Sequence, residues 1–297
     1  IVLKPAELTP LTAVELEKIA LEAGLPEGVL NVVVGPGSTC GSRMVEHPDI
    51  NKIAFTGSTE VGRGIAAGAA QTIKRVTLEL GGKSASVVFA DADIEKAAAA
   101  APSAVFGNAG QDCCARSRIL VESSQVDNFL AAMEKAVKAL RVGDPLDAST
   151  EMGPLISASH REKVGSFVTG EEMVAFRGSA PDGPGYWFPP TIFTGVTQAH
   201  RIFREEIFGP VLAVLTFRTP DEAVEKANNT PYGLSAGVWT EKGSRILWMA
   251  ERLRAGVVWA NTFNRFDPAS PFGGYKESGF GREGGIQGLG AYLRAEE

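Results

Sequence analysis

Short apolar runs rich in Val and Ile recur along this chain, each followed by a helix-like stretch and set off by Gly or Pro. That alternation constrains the fold more than any other feature. Residues 1–4, 30–34, 52–55 and 76–80 read as strands, with helices expected at about 9–23, 38–46 and 59–70 between them. After Gly81-Gly82 the pattern restarts. A strand at 84–89 leads into an Ala-rich helix at 93–106 that opens on the acidic cap Asp93. A strand at 119–122 precedes an amphipathic helix at 125–140, with Phe129, Met133, Val137 and Leu140 on one side. Residues 144–157 read as loop, 158–169 as helix, 211–217 as an apolar strand, 220–228 and 241–255 as helices, and 256–261 as a last strand. Strands joined through helices pair in parallel, because a parallel connection must cross over the sheet. The expectation is an α/β fold with a mostly parallel sheet covered on both faces, and a domain boundary at 80–83.

The 297 residues suffice for two domains. With 29 basic and 35 acidic side chains, net −6, and no run of either sign, the chain lacks an electrostatic footprint for nucleic acid or an anionic membrane surface. No apolar stretch approaches the roughly 18–20 residues that span a bilayer. Cys40, Cys113 and Cys114 make no disulfide framework, and with His47, His160 and His200 they show no metal-ligand spacing. No secretory leader is legible at the start, so a cytoplasmic location and no metal are expected. The chain opens without Met on what reads as the second half of a buried strand, which suggests a piece of a longer protein.

Two segments stand out chemically. In Gly110-Gln111-Asp112-Cys113-Cys114-Ala115 the cysteines could be small buried hydrophobes, the common fate of free Cys. A thiol of pKa near 8.5 is only about 3% ionised at neutral pH, so a nucleophile there needs a base or a positive environment. In Leu78-Glu79-Leu80-Gly81-Gly82-Lys83 a carboxylate lies between apolar neighbours at a strand end, ordinarily a solvated edge position. The two glycines let another group, such as a flat ring, approach the backbone.

Together, segments 77–83 and 106–114 resemble the glutamate and cysteine signature segments of the aldehyde dehydrogenase superfamily, separated by a strand plus a helix as in that family. Lys4-Pro5-Ala6-Glu7, Phe55-Thr56-Gly57-Ser58-Thr59, Glu205-Glu206-Ile207-Phe208-Gly209-Pro210 and Ser270-Pro271-Phe272-Gly273-Gly274-Tyr275-Lys276 follow in family order across nearly the whole chain. The resemblance implies part of a Rossmann-like, parallel-sheet coenzyme domain over 1–81, a second α/β catalytic domain over 82–280 and a C-terminal tail over 281–297. It implies NAD-dependent oxidation of a small-molecule aldehyde: Cys113 attacks the carbonyl, hydride leaves to nicotinamide, and a water activated by Glu79 hydrolyses the thioester. One oxyanion donor is the Cys113 backbone N–H. The family's second donor is an asparagine upstream of the segment beginning here.

For the coenzyme, the resemblance assigns Lys4 and Glu7 to the adenosine ribose, where a carboxylate favours NAD over NADP. It assigns Phe55, Thr56, Gly57 and Ser58 to the pyrophosphate approach, and Glu206 and Phe208 to the nicotinamide ribose. Leu80 and Gly81 lie where the ring approaches. Gly37, in Gly35-Pro36-Gly37 with Gly41, resembles a dinucleotide turn one residue too long. Substrate candidates are Asp112, Cys114, Asn261, Phe263 and Phe272, and Asp112 hints at a cationic aldehyde. Arg116 departs from the family's usual Gly and is expected to bring a cation close to the nucleophile. Relatives assemble as homo-dimers or homo-tetramers. Two other readings remain: an inactive fragment or pseudoenzyme serving as a structural or subunit-interaction module, and a cysteine hydrolase pairing Cys113 with a histidine, for which no suitable histidine motif is present. The presence of Glu79 disfavours a CoA-acylating relative.

Overall fold

A computed structural model of the chain describes residues 1–170 and 173–293. The chain forms two compact units, one of Ile1–Phe55 with Glu60–Thr77, the other of Thr56–Thr59 with Leu78 onward. The division falls between Thr77 and Leu78, ahead of the expected boundary at 80–83, so the whole Leu78–Lys83 segment belongs to the second unit.

In the first unit, strands Val2–Leu3 and Asn31–Val32 pair in parallel around the helix Leu11–Glu22. Both strands are shorter than the sequence suggested. The expected helix at 38–46 is a wide helical turn, Gly37–Gly41, running into Ser42–Glu46. Strand Lys52–Thr56, helix Thr59–Ala70 and strand Arg75–Glu79 follow. Lys74 Nζ ties their connection down by donating to the carbonyls of His47 (2.6 Å) and Ile50 (2.8 Å).

The second unit is built on a seven-stranded sheet. Its order is Val257–Ala260, Ser235–Trp239, Ala85–Val88, Arg118–Glu122, Val211–Phe217, Thr191–Phe193 and Val174–Arg177. Every neighbouring pair is parallel except the last, which is antiparallel. Helices Ile94–Phe106 and Val126–Ala139 pack on each other, and Phe129, Met133 and Val137 are buried in the sheet core. Asp93 caps the first of these helices by accepting from the Lys96 N–H at 3.0 Å.

Ser235–Trp239 is the strand the sequence hid: Ser-Ala-Gly-Val-Trp has one β-branched residue, yet it pairs on both sides and is wholly buried. The edge strand at 174–177 and its neighbour at 191–193 were also not expected. Helix 158–169 contracts to Ala158–Gly165, and helix 241–255 to Gly243–Arg252. Part of the expected tail carries regular structure. The chain reverses between Tyr275 and Gly279, where the Ser278 N–H donates to the Tyr275 carbonyl (3.1 Å) and Gly279 has φ +106°. Glu283 and Phe272 then exchange two backbone hydrogen bonds of 2.7 Å, and a short helix, Gly285–Gly290, follows. Residues 294–297 of that segment lie outside the described residues.

Candidate active site

Glu79 closes the strand Arg75–Glu79, and there Gly279 pairs with it in antiparallel fashion. Its carbonyl accepts the Gly57 N–H (3.1 Å), which ties the Thr56–Ser58 turn to the base of the site. The side chain is 5% exposed, and neither carboxylate oxygen has a hydrogen-bond partner. Burial, with the Glu283 carboxylate adding to it and Arg282 opposing, pushes its pKa up to about 8. Such a group is an acid at neutral pH and a usable base just above it. Gly273 makes the room: a Cβ there would stand 2.9 Å from Glu79 Oε1. Phe272, its neighbour in sequence, packs on the cluster that holds Cys113 and Cys114. One loop therefore borders both the carboxylate and the sulfurs.

The cysteines follow a turn of unusual backbone. Asn108, Ala109 and Gly110 all have positive φ (51°, 55° and 72°). The left-handed Ala109 costs about 1 kcal/mol, while Asn and Gly tolerate the region. Asn108 Nδ2 donates to the Gln111 carbonyl (2.9 Å) and Gln111 Nε2 donates back to the Asn108 carbonyl (3.0 Å), which locks the turn. Gly110 is needed for space as well as φ, since a Cβ would collide with the Gly209 carbonyl. The Cys113 N–H meets no acceptor among the described residues, leaving it free to face a developing negative charge.

The two glycines of the glutamate segment have distinct tasks. A Cβ on Gly82 would strike the Cys113 carbonyl, so Gly82 lets the two segments touch. A Cβ on Gly81 would strike the Glu206 carboxylate, and Glu206 Oε1 accepts the Gly82 N–H at 2.9 Å. Glu206 is thereby joined to the same backbone, its pKa raised by burial against the hydrogen bond from Gly82. Phe208 has a left-handed backbone (φ 57°), an exposed ring, and a carbonyl 2.7 Å from His160 Nε2.

Other candidates are placed as follows. Asp112 spends Oδ1 on the Cys114 N–H (2.8 Å) and Oδ2 on Asn264 Nδ2 (3.2 Å). Asn261 exchanges two side-chain bonds of 3.0 Å with the Thr240 backbone, whereas the Oδ1 of Asn264, which the sequence reading missed, is buried without a partner. Phe263 stacks edge-on to Trp259. Arg116 does not extend to the nucleophile. Its guanidinium turns to Ser235 and lies over Trp259 and Phe263, and its charge acts on Cys114 and Asp112. Lys83 and Arg118 were also missed. Arg118 donates to the carbonyls of Lys83, Lys226 and Ala227, whereas the buried Lys83 ammonium lacks a partner and burial lowers its pKa to about 7.

In the first unit, Glu7 Oε1 accepts the Gly37 N–H at 2.8 Å, so two coenzyme candidates far apart in sequence are in contact. Lys4 Nζ donates to the Pro5 carbonyl (2.7 Å), and Phe55 lies in the strand Lys52–Thr56.

Comparison with known proteins gives the family of the chain. The description of the aldehyde dehydrogenase family matches residues 1–297. This chain belongs to that family. A betaine aldehyde dehydrogenase of Bacillus subtilis is 46% identical over 304 residues, covering 100% of this chain and 62% of that protein. An NAD-dependent aldehyde dehydrogenase from Sinorhizobium meliloti superposes with a TM-score of 0.96 at 44% identity, covering 99% of this chain and 59% of that one. A betaine aldehyde dehydrogenase from Staphylococcus aureus, solved with NAD+, gives 0.94 at 40% identity, over 99% of this chain and 60% of that one. The chain therefore has the aldehyde dehydrogenase fold and spans about three fifths of the length of these relatives. No described helix is long and apolar enough to cross a membrane.

Proposed function

We propose that this chain carries the reacting residues of an NAD-dependent oxidation of an aldehyde to a carboxylic acid, with Cys113 as nucleophile and Glu79 as base. The observation that carries the reading is the buried Glu79 carboxylate, both oxygens without partners, lying against Gly273, whose neighbour Phe272 packs against the cysteines. A carboxyl group left unsatisfied in a dry setting costs stability, and family membership supplies the reason to keep it: a water to deprotonate. The residues present fit the coenzyme. Glu206 offers acceptor oxygens for ribose hydroxyls beside the small backbone of Gly81, and Phe208 exposes a ring next to it. Bound NAD supplies the hydride acceptor. Cys113 forms the carbon–sulfur bond, its N–H faces the oxyanion, and Glu79 takes a proton from the water that opens the thioester. The NAD dependence of the Sinorhizobium meliloti relative and the NAD+ bound to the Staphylococcus aureus one, together with the Glu7 carboxylate, favour NAD over NADP.

A cationic aldehyde is the substrate class to test first, because Asp112 places a carboxylate next to the thiol. Equal efficiency on betaine aldehyde and on an uncharged aldehyde of its size removes that choice. Assembly as a homo-dimer or homo-tetramer belongs to the same proposal and is read by sedimentation. The central test is NADH formation at 340 nm by the whole protein. Cys113→Ala is expected to lower turnover by about a thousandfold or more. Glu79→Gln is expected to leave a burst of one NADH per site and an acyl adduct on Cys113 visible by intact mass. NADH formation indifferent to Cys113→Ala rejects the mechanism; none from the native protein with any aldehyde leaves the structural-module reading.

A further inference from the structure

Behind the two cysteines runs a buried polar chain that the proposed reaction does not use. Arg116 is 2% exposed, its Nη2 has no hydrogen-bond partner, and it joins no ion pair among the described residues. Its Nη1 donates to Ser235 Oγ at 2.7 Å, and the guanidinium lies 4.8 Å from the Trp259 ring centre and 5.3 Å from that of Phe263. Gly237 leaves room for it, since a Cβ there would stand 3.2 Å from Arg116 Nε. Ser235 Oγ also meets Ser84 Oγ at 2.8 Å. A guanidinium can only donate, so Ser235 must accept from Arg116. If Ser84 donates as well, the single Ser235 proton is left for the Cys114 sulfur, on which Ser235 acts as a hydrogen-bond partner. That sulfur, the Cys113 sulfur and an Asp112 oxygen all lie within 4.8 Å of one another. A buried cation with no carboxylate in ion-pair contact, aimed through a hydroxyl at a thiol, is an arrangement that favours a negative sulfur.

We propose that Arg116 is a positioning residue for the nucleophile: through Ser235 it holds the Cys114 sulfur as a proton acceptor, and Cys113 hands its proton to that sulfur as it attacks. The step balances. The Cys113 S–H bond breaks and a Cys114 S–H bond forms. The negative charge passes from Cys114 to Cys113 and then, with the new carbon–sulfur bond, to the carbonyl oxygen. When hydrolysis releases Cys113 as a thiolate, the proton returns. The electrostatics agree in direction. Cys114 is drawn below the ordinary thiol value, first by the hydrogen bond with Cys113, then by Ser235 and Arg116, against burial and Asp112. Cys113 is pushed up by the same hydrogen bond, by burial and by the negative charge of Cys114, Asp112 and Glu206. Glu79 remains the base for water, a separate step. The inference rests on the reading of Cys113 as nucleophile.

The test is the pH profile of Cys113 alkylation by iodoacetamide, followed by peptide mass spectrometry on the full chain and on Arg116→Met, Arg116→Lys and Cys114→Ala. The native midpoint is that of the pair, whose first proton leaves from Cys114. Without the Arg116 charge or the Cys114 sulfur, Cys113 must lose its proton against burial, Asp112 and Glu206. The midpoint is then expected to rise by about one pH unit or more, roughly tenfold in rate below it, with Arg116→Lys recovering part of the shift. A buried structural arginine with no such role would change thermal unfolding and leave the midpoint where it was. Midpoints within 0.2 pH unit of native in either Arg116→Met or Cys114→Ala overturn the proposal, and Cys114→Ala decides alone if Arg116→Met does not fold. A Cys113 that reacts no faster than Cys40 in the native chain sinks the nucleophile reading itself, an outcome distinct from unmoved midpoints.

Discussion

The helices Leu11–Glu22 and Val126–Ala139 are of similar length and meet opposite conditions. The first buries no residue, and Leu11, Leu16, Ile19 and Leu21 are all exposed; the second buries Phe129, Met133 and Val137 completely. The contrast extends to the units they belong to. In the first, the strands beside this helix are two, of two residues each, in a chain that spans about three fifths of its relatives' length. In the second, a seven-stranded sheet flanked by helices gives each apolar side chain a facing partner. The same holds for charge: every buried charged side chain among the described residues, Glu79, Lys83, Arg116 and Arg118, is in the second unit. Periodicity decides which residues can be buried, and the extent of the opposing layer decides whether they are. Costly polar groups are kept only where a large core holds them in place.

Mutations on either side can break that comparison. Phe129→Ala is expected to destabilise the protein by about 3–5 kcal/mol in urea unfolding, through lost transfer energy and a cavity. A loss below about 1 kcal/mol would mean that the second unit's core is far looser than its burial implies. Gly82→Ala comes next. Its new Cβ meets the Cys113 carbonyl, so a loss of about 1–3 kcal/mol is expected together with slower Cys113 alkylation. Gly24→Ala, strained by φ +91° but with nothing near it, should cost about 1 kcal/mol and leave alkylation unchanged.

Glu79 gives the pH test. Its native pKa of about 8 lies above the unfolded carboxyl value of about 4.5, so between those limits the native state holds a proton that the unfolded chain has released. Stability therefore falls as pH rises from about 4.5 to 8 and stays reduced above. Glu79→Gln should be neutral at pH 4.5 and stabilising at pH 8.5, by about 1–2 kcal/mol after allowance for solvent screening. The reverse pH trend would show that the carboxylate has partners in solution. The smallest effect is expected at Leu11, 81% exposed: Leu11→Ala should stay within about 0.5 kcal/mol, and a larger loss would show that this face is covered in the protein.

Much of the architecture was legible because it rests on local rules. The parallel strands at 85–88, 118–122 and 211–217 announced themselves as runs of Val, Ile and Leu, and Asp93 marked a helix start by a hydrogen bond spanning three residues. Ser235–Trp239 was not legible, because its burial comes from neighbours on both sides rather than from its own propensity. The two signature segments could be read as well, since each is a contiguous motif. Arg282 and Glu283 could not: they act on Glu79 only because the chain doubles back and Gly279–Phe280 pairs with Leu78 and Glu79.

By itself the sequence determined the α/β class, the family resemblance and the pair Cys113 and Glu79 as the residues to watch. These depend on periodicity and on motifs whose members are neighbours in the chain. Only the tertiary structure decided that Glu79 is dry and unpartnered, that Asp112 is committed to the Cys114 N–H and Asn264, and that Arg116 faces Ser235 rather than the nucleophile. Desolvation and hydrogen bonding are set by whatever lies within a few ångströms in space, and for these side chains many of those neighbours are more than a hundred residues away.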